Sequence, residues 1–309
     1  MIVVFGSVNL DLLARVETHP LPGETVTGSS FTTLPGGKGA NQALAARRAG
    51  ARVTMVGAVG TDAFGVAALA GLAAAGIDLA WIRRMEAPTG VALVQVDAAG
   101  RNSITVIPGA NGQATAAFVP EALLAAGTTL LLQLEVPLPA VCEVAATAAG
   151  RGAQVMLNAA PARGLPDTLL ASLAALVVNE HEAATIFATR GADADPGALA
   201  SAIHRRHGCA AIVTLGARGA LVAADGRLLR ARAPAVEIVD TTGAGDAFVG
   251  ALAAARDRGD GWRRALADGV AAGSLACRAV GAQSALPSAT AIRELALTVE
   301  SGIDSRSLE

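Results

Sequence analysis

The chain predicts an α/β fold, a largely parallel sheet covered by helices on both faces. Three observations carry that expectation. Short, predominantly apolar runs end in a glycine or a polar residue; Ala/Leu-rich stretches of helical spacing lie between them; and two segments break the alternation. A strand with helices on both sides reads as a continuous apolar run, because neither face meets water. At 309 residues the chain is long for one domain, yet α/β folds reach this length around a single sheet.

In chain order, residues 2–5 (Ile-Val-Val-Phe, closed by Gly6) and 53–56 (Val-Thr-Met-Val, closed by Gly57) are the first buried strands, and 130–133, 155–158, 176–179 and 211–214 repeat the type. Helices are expected over 40–49, 63–75, 138–149, 196–207 and 247–255, from their Ala and Leu content and spacing. Segments 12–34 and 89–108 are instead rich in Thr, Val and Ser. Residues 91–96 and 103–107 alternate around a turn at 97–102, so these segments predict a small antiparallel β lid. The expected division is an α/β domain of residues 1–11, 35–88 and 109–309, with the lid formed by 12–34 and 89–108. A sheet this small needs a partner surface, and the lid of a second copy would supply one, which predicts a homodimer.

Net charge is −2, from 24 basic and 26 acidic residues without long runs, and offers no footprint for nucleic acid or an anionic membrane. Small molecules are the expected partners. No apolar run reaches membrane-spanning length and the opening residues lack a signal-peptide pattern, so a cytoplasmic protein is expected. Cys142, Cys209 and Cys277 lack the paired spacing of a zinc site and read as buried apolar residues. Lysine occurs once, as Lys38, inside Gly36-Gly37-Lys38-Gly39-Ala40-Asn41, where a compact ammonium fits a bend that a guanidinium would not.

Residues 240–246 read Asp-Thr-Thr-Gly-Ala-Gly-Asp and run into a helix. Gly243 and Gly245 permit a tight turn that converges N–H groups and the helix dipole on one point, an anion cradle. A carboxylate beside a bound phosphate repels it. Asp246 therefore needs a reason to be there, either as the cap of the helix or as the base that takes a proton from a nucleophile attacking the phosphate. The dinucleotide fingerprint would need glycine at Phe248, and the P-loop's Gly-Lys-Ser/Thr is absent.

Asn9 and Asp11, two residues apart after a buried strand, face one way and can grip vicinal hydroxyls, or form an Asx turn. Glycines around Lys38 let a ligand approach the backbone, with Asn41 opening the next helix. Glu135 and Asn158 end apolar strands, the positions that line the ligand crevice of open α/β sheets. Asn179 and Glu182 suit the water shell of a metal near phosphates, or a capping box. Thr214-Leu215-Gly216-Ala217-Arg218-Gly219 can present backbone donors or Arg218 to a nucleotide, or simply turn a hairpin.

Gly-Ser-x-Asn-x-Asp, Gly-Gly-Lys-Gly-Ala-Asn, Asn-x-x-Glu, Thr-Leu-Gly-x-Arg-Gly and Asp-Thr-Thr-Gly-Ala-Gly-Asp stand here in one order. In that order the chain resembles the ribokinase (PfkB) family of carbohydrate kinases over roughly residues 1–290. Pro22-Gly-Glu-Thr-Val-Thr-Gly28, Pro108-Gly-Ala-Asn111, Leu132-Gln-Leu-Glu135 and Ala160-Pro-Ala-Arg163 are similar to its ribose-phosphorylating members. The resemblance implies a ribokinase-like three-layer sandwich and transfer of the ATP γ-phosphoryl group to the 5-hydroxyl of D-ribose. It makes Asp246 the base and the Gly243, Ala244 and Gly245 amides the anion hole. Asn9, Asp11, Gly37, Lys38, Gly39, Ala40, Asn41 and Glu135 become sugar-binding positions. Asn179, Thr214, Leu215, Gly216, Ala217, Arg218, Gly219 and Gly245 become nucleotide contacts, and Glu182 an organiser of Mg²⁺ through water. A monovalent cation, K⁺ in most of the family, would be held by Asp240, Thr242, Ala276, Ala279, Gly281 and Ala285. Ala285 stands where a serine hydroxyl is common, and Asn158-Ala-Ala-Pro161 where Asn-Pro-Ala-Pro is common.

With no Tyr, two Trp and six Phe, the chain is poor in the aromatic platforms that nucleoside binding uses, and Phe31 alone falls in the lid. A phosphorylated sugar would need more cations than Arg15, Arg83, Arg84 and Arg101 supply there. A neutral pentose fits best. Deoxyribose, fructose, ketodeoxygluconate and an adenosine-like nucleoside remain as alternatives, and a non-catalytic sugar-responsive protein is the rival from another class.

Overall fold

In a computed structural model, which describes residues 1–187 and 195–308, the chain builds two sheets. Strands β1 (Ile2–Phe5), β2 (Asn9–Val16), β3 (Gly28–Gly36), β4 (Val53–Gly60), β5 (Asp78–Met85), β6 (Gly90–Val96) and β7 (Asn102–Ile107) come first. They are followed by β8 (Thr129–Leu132), β9 (Gln154–Asn158), β10 (Ala175–Asn179), β11 (Ala210–Thr214), β12 (Ala220–Ala224), β13 (Arg227–Ala231) and β14 (Asp304–Ser307). The larger sheet has the order β14-β13-β12-β11-β10-β9-β8-β1-β4-β5. It is parallel from β5 to β11, and β12, β13 and β14 continue it antiparallel.

The apolar runs behave as strands buried on both sides. In β1, Ile2 and Val4 enter one core while Val3 and Phe5 enter the other, as a period of two requires. The first core is closed by α1 (Lys38–Arg48), α2 (Ala63–Ala74), α7 (Ala244–Asp257), α8 (Trp262–Ala276) and α9 (Ala289–Ser301). The second lies under α3 (Leu138–Gly150), α4 (Asp167–Ala171), α5 (Glu180–Phe187) and α6 (Pro196–His207). Three layers result. No helix among the described residues is long and apolar enough to cross a membrane. Cys209 is buried, but Cys142 and Cys277 are only half-buried, less enclosed than expected.

The smaller sheet has the order β3-β2-β6-β7. The pairs β2–β3 and β6–β7 are antiparallel, and β2 joins β6 in parallel, a detail that alternation alone does not decide. The sheet reaches back to Asn9 and forward to Gly36, a little beyond the 12–34 segment.

From β1 the chain works outward one way through β4 and β5, and returns to the other side of β1 with β8, β9, β10 and β11. The reversal opens a crevice beyond the carboxyl ends of the central strands, where such sheets take ligands. The loops after β1, β8, β9, β10 and β11 and the start of α7 all come to this crevice.

Candidate active site

Helix α7 is capped by Gly243, whose φ of 76° lies in the left-handed region; a Cβ there would come within 2.7 Å of Ala282 Cα. Only glycine fits this bend. The first amides of a helix have no intrahelical acceptor. That of Ala244 turns to Thr241 O at 3.2 Å, while Gly243 and Gly245 line a cavity of ≈ 150 Å³ with Lys38, Asn179, Glu182 and Asp246.

Asp246 is not the cap of α7. It lies within the first turn, is 8% exposed, and its carboxylate accepts from two side-chain amides. Asn41 Nδ2 donates to Oδ2 and Gln42 Nε2 to Oδ1, each at 2.9 Å. Burial pushes the Asp246 carboxyl above the usual range, the Lys38 ammonium and the amides of Gln42 and Asn41 oppose that, and Glu135 adds to it. The two amides are themselves held. Gln42 Oε1 accepts from Gln133 Nε2 at 2.8 Å, Gln42 Nε2 also donates to Asn158 Oδ1 at 2.9 Å, and Asn41 Oδ1 accepts from Gln283 Nε2 at 3.0 Å.

Helix α1 starts on Lys38, with Gly37 at its cap, so Asn41 lies inside the helix rather than opening it. A Cβ on Gly37 would sit 2.8 Å from Asn9 N, which is how close this loop approaches β2. Ser7 Oγ and the Lys38 amide both donate to Glu135 Oε2, at 2.6 and 2.9 Å. The Glu135 loop and the Lys38 loop are thereby tied to the end of β1. Burial alone would lower the Lys38 ammonium, but the carboxylates of Asp246, Glu135 and Glu182 outweigh it and hold it above the ordinary lysine value.

Asn9 and Asp11 belong to the start of β2, not to the end of β1, and share one face of the small sheet. Asn111 fixes the first of them: its Nδ2 donates to Asn9 Oδ1 at 2.8 Å and to Val8 O at 3.0 Å, and its Oδ1 accepts from Val8 N at 2.9 Å. Asp11 Oδ1 is buried with no hydrogen-bond partner among the described residues. Burial raises its carboxyl from 3.8 to about 6, with the charges of Glu135 and Asp246 adding to the effect. A buried, unsatisfied carboxylate is costly to keep unless a ligand completes it.

On the other side of Asp246, Asn179 and Thr214 are paired neighbours at the ends of β10 and β11. Asn179 and Glu182 form a capping box, in which Glu182 N donates to Asn179 Oδ1 at 2.7 Å and Asn179 N to Glu182 Oε2 at 2.8 Å. Burial raises the Glu182 carboxyl against the opposing pull of the Asn179 amide and Lys38. Residues Leu215, Gly216, Ala217, Arg218 and Gly219 turn the hairpin from β11 into β12, with Leu215 N donating to Gly219 O at 2.8 Å. Arg218 leaves this turn to pair with Glu180.

The segments expected to hold a monovalent cation are also brought together. Asp240 Oδ1 accepts from Thr242 N and Oγ1 at 2.9 and 2.7 Å, and Oδ2 from Gly281 N at 2.8 Å. Those bonds outweigh the effect of burial and hold Asp240 below the usual carboxylate range. Ala276 ends α8, and Ala279 and Ala285 lie in the loop that follows, with Ala285 N donating to Gly281 O at 3.3 Å.

Sequence reasoning did not single out Gln42, Gln133 or Gln283. Each is one amide in an apolar or glycine-rich neighbourhood, and only the fold shows that they meet around one carboxylate.

The profile of pfkB family carbohydrate kinases matches residues 1–289. A ribokinase of Schizosaccharomyces pombe is 38% identical over 304 residues, covering 93% of this chain and 95% of its own length. One of Bacillus subtilis is 37% identical over 297 residues, covering 95% and 98%. Among solved structures, a Thermotoga maritima ribokinase superposes with a TM-score of 0.87 at 30% identity, covering 96% of this chain and 98% of that one. An Arabidopsis thaliana ribokinase complexed with ribose and ATP superposes with a TM-score of 0.85 at 31% identity, with the same coverage.

Proposed function

The chain belongs to the pfkB family of carbohydrate kinases and is an ATP-dependent sugar kinase, and from that premise we propose that it transfers the ATP γ-phosphoryl group to the 5-hydroxyl of D-ribose in the cytoplasm. The observation that carries this reading is Asp246, a buried carboxylate at the start of α7, held through both oxygens by amides and facing the only lysine of the chain. Asn9, Asp11, the Gly37, Lys38, Gly39, Ala40 and Asn41 loop and Glu135 bind the sugar. The unsatisfied Asp11 oxygen accepts its hydroxyls.

The primary hydroxyl passes its proton to a free lone pair of Asp246 as its oxygen attacks the γ-phosphorus; the bond to the β-phosphate oxygen breaks and ADP leaves. The amides of Gly243 and Gly245 receive the charge on the transferring group, with Ala244 completing the turn. Lys38, surrounded by carboxylates, stays protonated and offsets the added negative charge. Asn179, Thr214, Leu215, Gly216, Ala217, Arg218 and Gly219 hold the nucleotide, Arg218 after release from Glu180.

The oxygen donors present fit hard cations. Glu182 would hold Mg²⁺ through water, where it neutralises phosphate charge when bound. The carboxylate of Asp240 is held by Thr242 and Gly281, so Asp240 would join the backbone carbonyls of Thr242, Ala276, Ala279, Gly281 and Ala285 around K⁺ through its own carbonyl or the remaining lone pair of Oδ2. That set survives the lack of a hydroxyl at Ala285.

Asp246→Asn is expected to keep sugar and ATP binding and to lower kcat by at least about 10²-fold, as for loss of a general base. Unchanged turnover would remove the base assigned here. A panel of ribose, deoxyribose, fructose, ketodeoxygluconate and adenosine with Mg-ATP, with and without K⁺, decides the substrate.

A further inference from the structure

Asn41 can serve Asp246 in only one orientation. Its amide carries a donor end and an acceptor end of nearly the same shape, and flipping it would aim an oxygen at the carboxylate. Something must set the sense. Gln283, 7% exposed in the loop after α8, donates through Nε2 to Asn41 Oδ1 at 3.0 Å, and Asn41 Nδ2 then donates to Asp246 Oδ2 at 2.9 Å. The two bonds form a directed chain, donor to acceptor, from the 276–285 loop to the carboxylate. On the Oδ1 side, Gln133 plays the corresponding part for Gln42.

We propose that Gln283 is a positioning residue for phosphoryl transfer, which fixes the sense of the Asn41 amide so that Asp246 keeps a donor on Oδ2 and a lone pair for the sugar hydroxyl. The proposal rests on Asp246 being the base. Because Gln283 lies between Gly281 and Ala285, it also links the loop proposed for the monovalent cation to the base by way of Asn41.

The groups that face Asp246 are Lys38 from the start of α1, Glu135 from the loop after β8, Asp11 from β2 and Glu182 from α5. None is altered by Gln283→Met, so in that variant the charge around the base stays fixed while the hydrogen bond that orients Asn41 is removed; Gln283→Glu adds a negative charge as well as an acceptor. A carboxylate that loses a donor is harder to ionise, and a base that ionises later works only at higher pH.

The test compares Gln283→Met, similar in length and unable to donate, with Gln283→Glu, which accepts where Gln283 donates and so inverts the chain. Both are measured for kcat, both KM values, the pH profile of kcat/KM and thermal melting. Sugar affinity is measured by calorimetry in K⁺ and in tetramethylammonium. Expected are a fall in kcat of about tenfold or more for Met and a larger one for Glu, an acid limb displaced to higher pH in both, and an unchanged KM for ATP. The variants should also show a smaller difference in sugar affinity between the two cations. An unmoved acid limb with wild-type kcat in folded variants overturns the proposal, as does a loss confined to melting temperature. A wild-type chain whose Asp246→Asn variant is fully active fails at the base itself, and is told apart by that control.

Discussion

Asp11 is a carboxylate kept without a partner, and its consequence is a pH dependence with a definite sign. Its folded value of about 6 lies above the ordinary 3.8, so in the absence of ligand the fold bears no cost from this group below the ordinary value. The cost grows as pH rises toward 6 and is complete above it. Sugar hydroxyls that donate to Asp11 favour the ionised form, so binding should be full above about 6, weaken as pH falls below it, and release a proton in that window. Calorimetry in buffers of different ionisation heat measures the proton. Affinity that ignores pH across the weakly acidic range, or an Asp11→Asn variant with the same proton release, would contradict the assignment. At this scale the sequence displayed the proposed base and its charged neighbours and hid their supports. Asp246, Lys38 and Glu135 stand in unusual local settings, a glycine cradle, a lone lysine and a strand end. Gln42, Gln133 and Gln283 look like ordinary polar residues, because the bonds that matter join positions far apart in the chain.

Helices α1 and α7 meet almost backbone to backbone. An ideal Cβ on Gly250 would lie 2.4 Å from Ala45 Cβ, 2.7 Å from Ala46 N and 2.8 Å from Gln42 O. Since α1 carries both amides that hold Asp246 and α7 carries Asp246 itself, the helix spacing sets those hydrogen bonds. Gly250→Val should destabilise the fold by about 1–3 kcal/mol, as overpacking does, and lower kcat more than it alters KM for ATP. Thermal melting and steady-state kinetics read both, and a variant that melts and turns over like the wild type would show that the helices can part freely. Elements with an unmixed pattern were legible: β1, β4, β8, β9, β10 and β11 as apolar runs, α2, α3 and α6 by spacing. Others were not. β5 carries Asp78, Arg83 and Arg84 because it is the edge of the larger sheet, and β14 is exposed throughout, so neither shows a buried-strand signature. The end of a helix is set by its surroundings, which is why α1 begins on Lys38 rather than where its alanines begin.

Across the whole molecule, the small sheet is the part left uncovered. Register places Val106 in one row with Ala92 and Asp11, and Ile104 in the next same-face row with Val94 and Leu13, while Ile104 and Val106 are 54% and 49% exposed. Apolar side chains standing on the face that carries Asp11 ask for a cover, and the lid of a second copy would provide it. If two lids pair through this face, Ile104→Asp together with Val106→Asp shifts the protein from dimer to monomer in sedimentation and raises KM for the sugar. A wild-type protein that sediments as a fully active monomer would refute this.

The solitary lysine has a further consequence, for anyone handling the protein. Amine-directed reagents find no ε-amine except the half-buried one that faces Asp246, Glu135 and Glu182. Coupling to a resin, biotinylation or aldehyde fixation through lysine therefore either passes the chain by or falls on Lys38, beside Asp246. Immobilised or labelled preparations are better built on the α-amine, carboxylates, thiols or an added tag.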